Sequence, residues 1–119
     1  MFEKPAEIEF VPYSPKIKLV SDLIYCCKRY EKTFVAERGF ICDGASIPRI
    51  FWTVMGHPFD YRWRSASILH DWFYRRGGVT RKQADKIFYD GLRYKGVRKT
   101  KAWAMYLAVR VGGFFAWRK

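Results

Sequence analysis

The sequence predicts an α+β fold, in which a small group of N-terminal antiparallel strands precedes a helical half. Apolar and polar residues alternate in the first third of the chain, and this period is typical of half-buried strands. Beyond residue 42, apolar residues recur at helical spacing between capping signals. A chain of 119 residues is long enough for one hydrophobic core. We therefore expect a single domain, 1–119, with a strand-rich part (1–42) and a helical part (43–119).

Four short segments of the first part have the composition of strands. Residues 7–10 and 16–19 alternate between charged and apolar side chains. Residues 23–25 and 33–35 are rich in the β-branched and aromatic side chains that suit a pleated surface. Proline and glycine residues separate these segments, so we expect short hairpins or a small antiparallel sheet.

Helices are predicted in the second part, each beside a capping or stop signal: 46–52, 61–76, 80–95 and 99–114. Thr80 and Gln83 have the spacing of a capping box, which opens a helix. Gly77 and Gly78 are the signal that ends the preceding helix. Short connections between such helices favour antiparallel packing of neighbours.

The charge of the chain indicates a polyanionic partner. The formal net charge is +12, from 23 Lys and Arg against 11 Asp and Glu. Anionic membrane lipid and nucleic acid are the two candidates, and charge alone does not choose between them. The last helix is apolar on more than one face and carries basic residues, so we expect it to face a membrane or a partner. The aromatic and arginine residues at 61–64 have a composition that also suits base stacking.

His70 is the centre of the candidate site. It flanks the apolar stripe of its helix, with Tyr74 one turn further on. Asp85 lies at the margin of the apolar stripe of the next helix, where a carboxylate needs a partner. Antiparallel packing is expected to bring Asp85 against His70, so that one ring nitrogen is held and the other takes a proton from water. The simpler interpretation is a hydrogen-bonded core histidine.

A second acidic motif is the turn that begins at Asp43 and Gly44. Asp-Gly is an ordinary turn former. Alternatively, Asp43 and Asp71 converge on a hard cation, with backbone carbonyl groups near Gly44 completing an oxygen shell of the kind that calcium requires.

The acidic turn and the two helices resemble the core of secreted phospholipase A2 enzymes, most closely the small bacterial and fungal type. The resemblance rests on three segments: Asp43-Gly44-Ala45-Ser46, Ser65-Ala66-Ser67-Ile68-Leu69-His70-Asp71-Trp72-Phe73-Tyr74 and Ala84-Asp85-Lys86-Ile87-Phe88. It implies a lipid acyl-ester hydrolase in which His70 is the base, Asp85 its partner and Tyr74 a support of the network. It also implies calcium, with Asp43, Gly44 and Asp71 at the metal. The family's disulfides are absent here, where alanine and other residues stand at the matching positions.

The whole chain also resembles a phage and prophage family of unknown function, through the motifs Asp-Gly-Ala-Ser-Ile-Pro and Leu-His-Asp-Trp. This resemblance implies a phage protein, with the virion or a host protein as further candidate partners. A non-enzymatic basic phage protein that binds nucleic acid or serves in the virion is therefore the alternative. A metal-dependent His-Asp phosphohydrolase using His57, His70, Asp71 and Asp85 is a third interpretation. Without a visible secretory signal or a long apolar stretch, the host cytoplasm or the phage particle is the expected location.

Overall fold

The structure, a computed structural model, describes residues 1–14, 16–42, 60 and 62–112. It confirms the α+β class, because antiparallel strands form the N-terminal part and helices follow. The strands are β1 (Ile8–Phe10), β2 (Ile17–Leu19), β3 (Leu23–Cys27), β4 (Lys32–Ala36) and β5 (Ile41–Cys42). Strands β1, β2 and β5 pair in one sheet, while β3 and β4 form a separate hairpin. Four of these strands overlap the predicted segments, and β5 was not predicted.

The β3–β4 hairpin follows the alternation of its sequence. Leu23, Tyr25 and Cys27 of β3 are buried, whereas the residues between them are only half-buried. From β4, Phe34 lies edge-on to Phe73 of the first helix, with ring centroids 4.8 Å apart. The hairpin thereby covers the helix that carries His70.

The helices of the described residues are α1 (Arg64–Arg76), α2 (Arg81–Tyr94) and α3 (Lys99–Gly112). The predicted capping box is confirmed, because Thr80 Oγ1 accepts from the Gln83 amide at 3.1 Å and Gln83 Oε1 accepts from the Thr80 amide at 2.9 Å. Gly77 ends α1 with a positive φ of 75°, as its sequence signal predicted. The predicted helix at 46–52 lies outside the described residues.

Helices α1 and α2 approach closely where α2 carries a glycine. A Cβ atom on Gly91 would lie 3.3 Å from both the Ala66 Cβ and a ring carbon of Phe2. Glycine and alanine thus let the two helices and the N-terminal strand segment meet without a gap. Because Gly91 is near the end of α2 and Ala66 near the start of α1, this contact also establishes the antiparallel arrangement that the short connection predicts.

Helix α3 buries one face and exposes another. Its buried face includes Ala102, Met105 and Val109 and packs against α2. Trp103, Leu107 and Val111, spaced four residues apart, are 48%, 45% and 66% exposed. The expectation that part of its apolar surface is exposed is therefore confirmed. Of the helices described, none has both the length and the hydropathy to cross a membrane.

Candidate functional site

Three side chains, from two helices, meet at the carboxylate of Asp85, which lies on a third helix. His70 Nε2 and Tyr74 Oη, both on α1, each lie 2.7 Å from Asp85 Oδ1. From α3, Arg110 Nη1 donates to the other oxygen, Oδ2, at 2.9 Å. The hydrogen bond expected between His70 and Asp85 is confirmed, and Tyr74 belongs to the same network. The catalytic roles of these residues stay predictions.

The local sequence explains why these groups converge. His70 and Tyr74 are four residues apart on α1, so they lie on one face of the helix. The connection from 77 to 80 turns the chain back, and Asp85 is then in the second turn of α2, opposite that face. The four-residue spacing on α1, the short turn and the place of Asp85 in α2 therefore position three of the four side chains of the network.

The hydrogen bonds of Asp85 determine where the proton of His70 lies. Asp85 accepts from the Tyr74 hydroxyl through Oδ1 and from the Arg110 guanidinium through Oδ2, so each of its oxygens already serves as an acceptor. Because Nε2 faces this acceptor, Nε2 carries the proton of the neutral ring. Nδ1 is then the basic nitrogen of His70.

The surroundings of the network are apolar and closed to solvent. The His70 ring lies between Tyr74 and Phe88, with ring centroids 4.3 and 4.8 Å away. The side chains of His70 and Asp85 have no solvent exposure. Burial, together with the neighbouring Asp85 charge, raises the pKa of Tyr74 above its ordinary value, so its hydroxyl stays a donor.

Arg110 is the member of the network that the sequence did not predict. It offsets the buried charge of Asp85, which an uncharged environment would not tolerate. Arg81 lies on the same side, where its guanidinium hydrogen-bonds the Tyr74 oxygen and its Nη2 donates to the Arg110 carbonyl group. The sequence offered one signal for this role: Arg110 is the single cation within the apolar run of the last helix. Its partners are distant in sequence, so the signal did not identify them.

Of the predicted calcium ligands, only Asp71 can be placed, because Asp43 and Gly44 lie outside the described residues. Asp71 is buried, and its Oδ2 lies 3.9 Å from Arg75 Nε. No group of three His, Cys, Asp or Glu side chains suited to a metal occurs within the described part of the chain. The Asp71 carboxylate has the oxygen ligands that a hard cation such as calcium prefers, but it is one side chain of the roughly six to eight oxygen ligands that calcium takes. His57, which the phosphohydrolase interpretation needs, also lies outside the described residues.

Comparisons with known proteins identify a family without an assigned activity. The chain is 44% identical over 71 residues to the uncharacterized protein y4jT of Sinorhizobium fredii (strain NBRC 101917 / NGR234), an alignment that covers 60% of this chain and 21% of the relative. It is 35% identical over 71 residues to the uncharacterized protein y4iH of the same strain, covering 60% of this chain and 30% of that relative. The chain thus spans less than a third of the length of these curated relatives. No solved structure matches it.

Neither relative's name mentions a phage, a lipid or a hydrolytic reaction, so these features stay proposals. The family match itself covers residues 17–109, from β2 to α3, and therefore includes His70, Tyr74 and Asp85 but ends one residue before Arg110. The chain belongs to the family described as protein of unknown function (DUF1353).

Proposed function

We propose that the protein is an acyl-ester hydrolase with phospholipase A2-like chemistry, acting on membrane lipid with His70 as its general base. The observation that carries the proposal is the hydrogen bond from His70 Nε2 to the buried Asp85 carboxylate. An anionic partner on one nitrogen orients the ring, fixes its tautomer and stabilises the imidazolium formed when the other nitrogen takes a proton. A histidine in a purely apolar pocket would lack all three properties.

The proposed reaction transfers one proton through His70. His70 Nδ1 takes a proton from a water molecule as the water oxygen attacks the ester carbonyl carbon. The C–O bond to the glycerol oxygen then breaks, and the imidazolium returns the proton to that oxygen. The products are a free fatty acid and a lysolipid. Asp85 remains ionised throughout, and Tyr74 and Arg110 hold it in place through hydrogen bonds to Oδ1 and Oδ2.

Calcium belongs to the proposal as a cofactor. Asp71 would bind the ion, and Asp43 and the carbonyl group of Gly44 would complete the protein ligands. When bound, calcium supplies a Lewis acid that polarises the ester carbonyl group. Asp71 directly follows His70 in α1, so an ion bound there would be held by the helix that carries the base.

Burial of His70 sets a further requirement on the proposal. Since the ring has no exposed surface, Nδ1 must become accessible when lipid binds. Modification of His70 by diethyl pyrocarbonate, followed by mass spectrometry, measures this access. We expect modification to be slow in buffer and faster with phospholipid vesicles.

The test of the proposal is fatty-acid release from phospholipid vesicles, measured with calcium and with chelator. His70→Asn should lower the rate by about 10²–10⁴-fold, the usual contribution of a general base. The chain offers a matched control in His57→Asn, because His57 and His70 are its two histidines. Melting temperatures of both variants should show that each is folded.

Three results would contradict the proposal. Negligible release by the unaltered protein over a range of lipids, equal with calcium and chelator, leaves a non-enzymatic basic protein as the better interpretation. Equal activity of His70→Asn and the unaltered protein removes the general base. Cleavage of a phosphate ester with a transition metal, lost in both histidine variants, favours the His-Asp phosphohydrolase.

A further inference from the structure

A second feature, separate from the His70 network, is a groove of positive charge beside the start of α1 and the turn between α2 and α3. Two adjoining clefts form it, with volumes of about 300 and 290 Å³. Arg62 and Lys95 line both clefts, so the two adjoin at these side chains. We call this feature the basic groove, and its cationic residues are Arg62, Arg64, Lys95, Arg98 and Lys101.

The charge of the basic groove is poorly compensated. Among its described lining residues there is no Asp or Glu. Asp60 lies beside it and accepts from Arg62 Nε at 3.0 Å and from Arg62 Nη2 at 2.9 Å, and the same carboxylate also attracts Arg64. The hydrogen bonds from Arg62 lower the pKa of Asp60 to about 2, and this carboxylate therefore stays ionised at neutral pH. Lys95, Arg98 and Lys101 take part in no ion pair within the described part of the chain, so these three residues give the groove an excess of about three positive charges at neutral pH.

The indole of Trp63 positions two of these cations. Trp63 is buried, at 3% exposure, with the Arg62 guanidinium 4.6 Å and the Lys101 ammonium 5.0 Å from its ring centroid. These cation–π contacts hold both charges at the groove. They also overturn the interpretation of Trp63 as a platform for base stacking, because its face is covered. Recognition in the groove therefore depends on charge rather than on aromatic stacking.

We propose that the basic groove binds the phosphate backbone of a single-stranded nucleic acid. A single backbone is narrow enough to enter a depression lined by cations, and its phosphates match a row of Arg and Lys side chains. An anionic bilayer is a broad surface that favours protruding apolar side chains beside the basic ones. No exposed large apolar side chain is among the described residues of the groove. Such side chains lie instead along α3, at Trp103, Leu107 and Val111. The proposal is independent of the hydrolase activity.

The size of the salt effect follows from the charge. If the groove neutralises about three phosphates, the slope of log K against log [salt] is about −2 for a single strand, at about −0.7 for each phosphate. Loss of two of these contacts should reduce the slope to about a third.

The test is fluorescence anisotropy of a fluorescein-labelled 20-nucleotide oligothymidine, titrated with the full chain at several salt concentrations. The groove variant is Lys95→Glu/Arg98→Glu, in which both side chains reach the groove without a structural hydrogen bond among those described. The matched control is Lys16→Glu/Lys32→Glu, which lowers the net charge equally at exposed positions in the strand-rich part. Lys95→Gln/Arg98→Gln repeats the groove change without reversing charge, in case the glutamates affect folding.

We expect the groove variant to bind the oligonucleotide at least about tenfold more weakly near 0.1 M salt, with the shallower slope, while the control changes little. Equal losses in the groove variant and the control would overturn the proposal, because binding would then depend on net charge alone. Absence of oligonucleotide binding by the unaltered protein would also overturn it. A third result would overturn it as well: the unaltered protein sediments with phosphatidylglycerol vesicles, and the groove variant loses this sedimentation but still binds the oligonucleotide. The groove would then serve a membrane.

Discussion

Replacement of Asp85 by asparagine is the perturbation that best tests the physical basis of the site. The side chain keeps its volume but loses its charge, so the Arg110 guanidinium loses its anionic partner. One amide oxygen then replaces two carboxylate oxygens as acceptor for three donors. His70 and Tyr74, which both donate to Oδ1, compete for it or face an amide N–H.

The expected cost is large because the carboxylate is fully buried. Removing one partner of a buried ion pair typically costs about 3–5 kcal/mol, since the other charge is left without compensation. Asp85 has 0% exposure, whereas Arg110, whose charge is left unpaired, is 29% exposed, so solvent offsets part of the loss and the lower end of this range is expected. A protein of this size is stable by about 5–15 kcal/mol, and the variant should therefore lose a substantial share of its free energy of unfolding.

Urea unfolding, followed by tryptophan fluorescence and circular dichroism, measures this loss. Asp90→Asn is the matched control, because Asp90 lies on the same helix as Asp85 and also pairs with an arginine, Arg29. In this pair both side chains are partly exposed, Asp90 at 24% and Arg29 at 43%. Its cost should be about 1 kcal/mol or less. A cost for Asp85→Asn within about 1 kcal/mol of that for Asp90→Asn would refute the view that the carboxylate holds three helices together.

Three other substitutions test single contacts, each by urea unfolding. Tyr74→Phe should cost about 1.5–3 kcal/mol, because it removes a donor to a buried charged group, and no change would place the hydroxyl elsewhere. Thr80→Ala should cost about 1 kcal/mol through loss of the capping box, and an unaltered midpoint would show that the cap does not form. Gly91→Val should cost about 1–3 kcal/mol, because even a Cβ there lies 3.3 Å from Ala66 and Phe2; a more stable variant would contradict the close packing of α1 and α2.

Local sequence patterns were sufficient to predict three of the four side chains of the network. His70, Tyr74 and Asp85 follow from helical spacing, the apolar margin of α2 and one short connection, all of which are local features. Arg110 was not predicted, because its contact with Asp85 joins residues 25 positions apart and depends on how α3 packs. A lone arginine in an apolar helix is compatible with solvent, lipid or a buried partner until that packing is known.

The errors in the fold have similar causes. Strand β5 has two residues, Ile41 and Cys42, which is too short for alternation to reveal; its pairing with β2 is what defines it. Helix α1 begins at Arg64 rather than near residue 61, and Trp63 at its N-cap offers no capping side chain from which the start might be read. The composition of residues 61–64 suits base stacking, yet Trp63 is buried, because composition does not distinguish a covered indole from an open one.

The most direct test of the central claim is the ratio of initial fatty-acid release rates of the unaltered protein and His70→Asn, on the same phospholipid vesicles in saturating calcium. If His70 is the general base held by Asp85, the ratio is about 10² or more, and His70→Asn still unfolds in one cooperative transition, at a lower urea concentration than the unaltered protein because it loses a buried hydrogen bond to a carboxylate. A ratio near one would contradict the claim and would leave the His70–Asp85 network as a purely structural link between the helices.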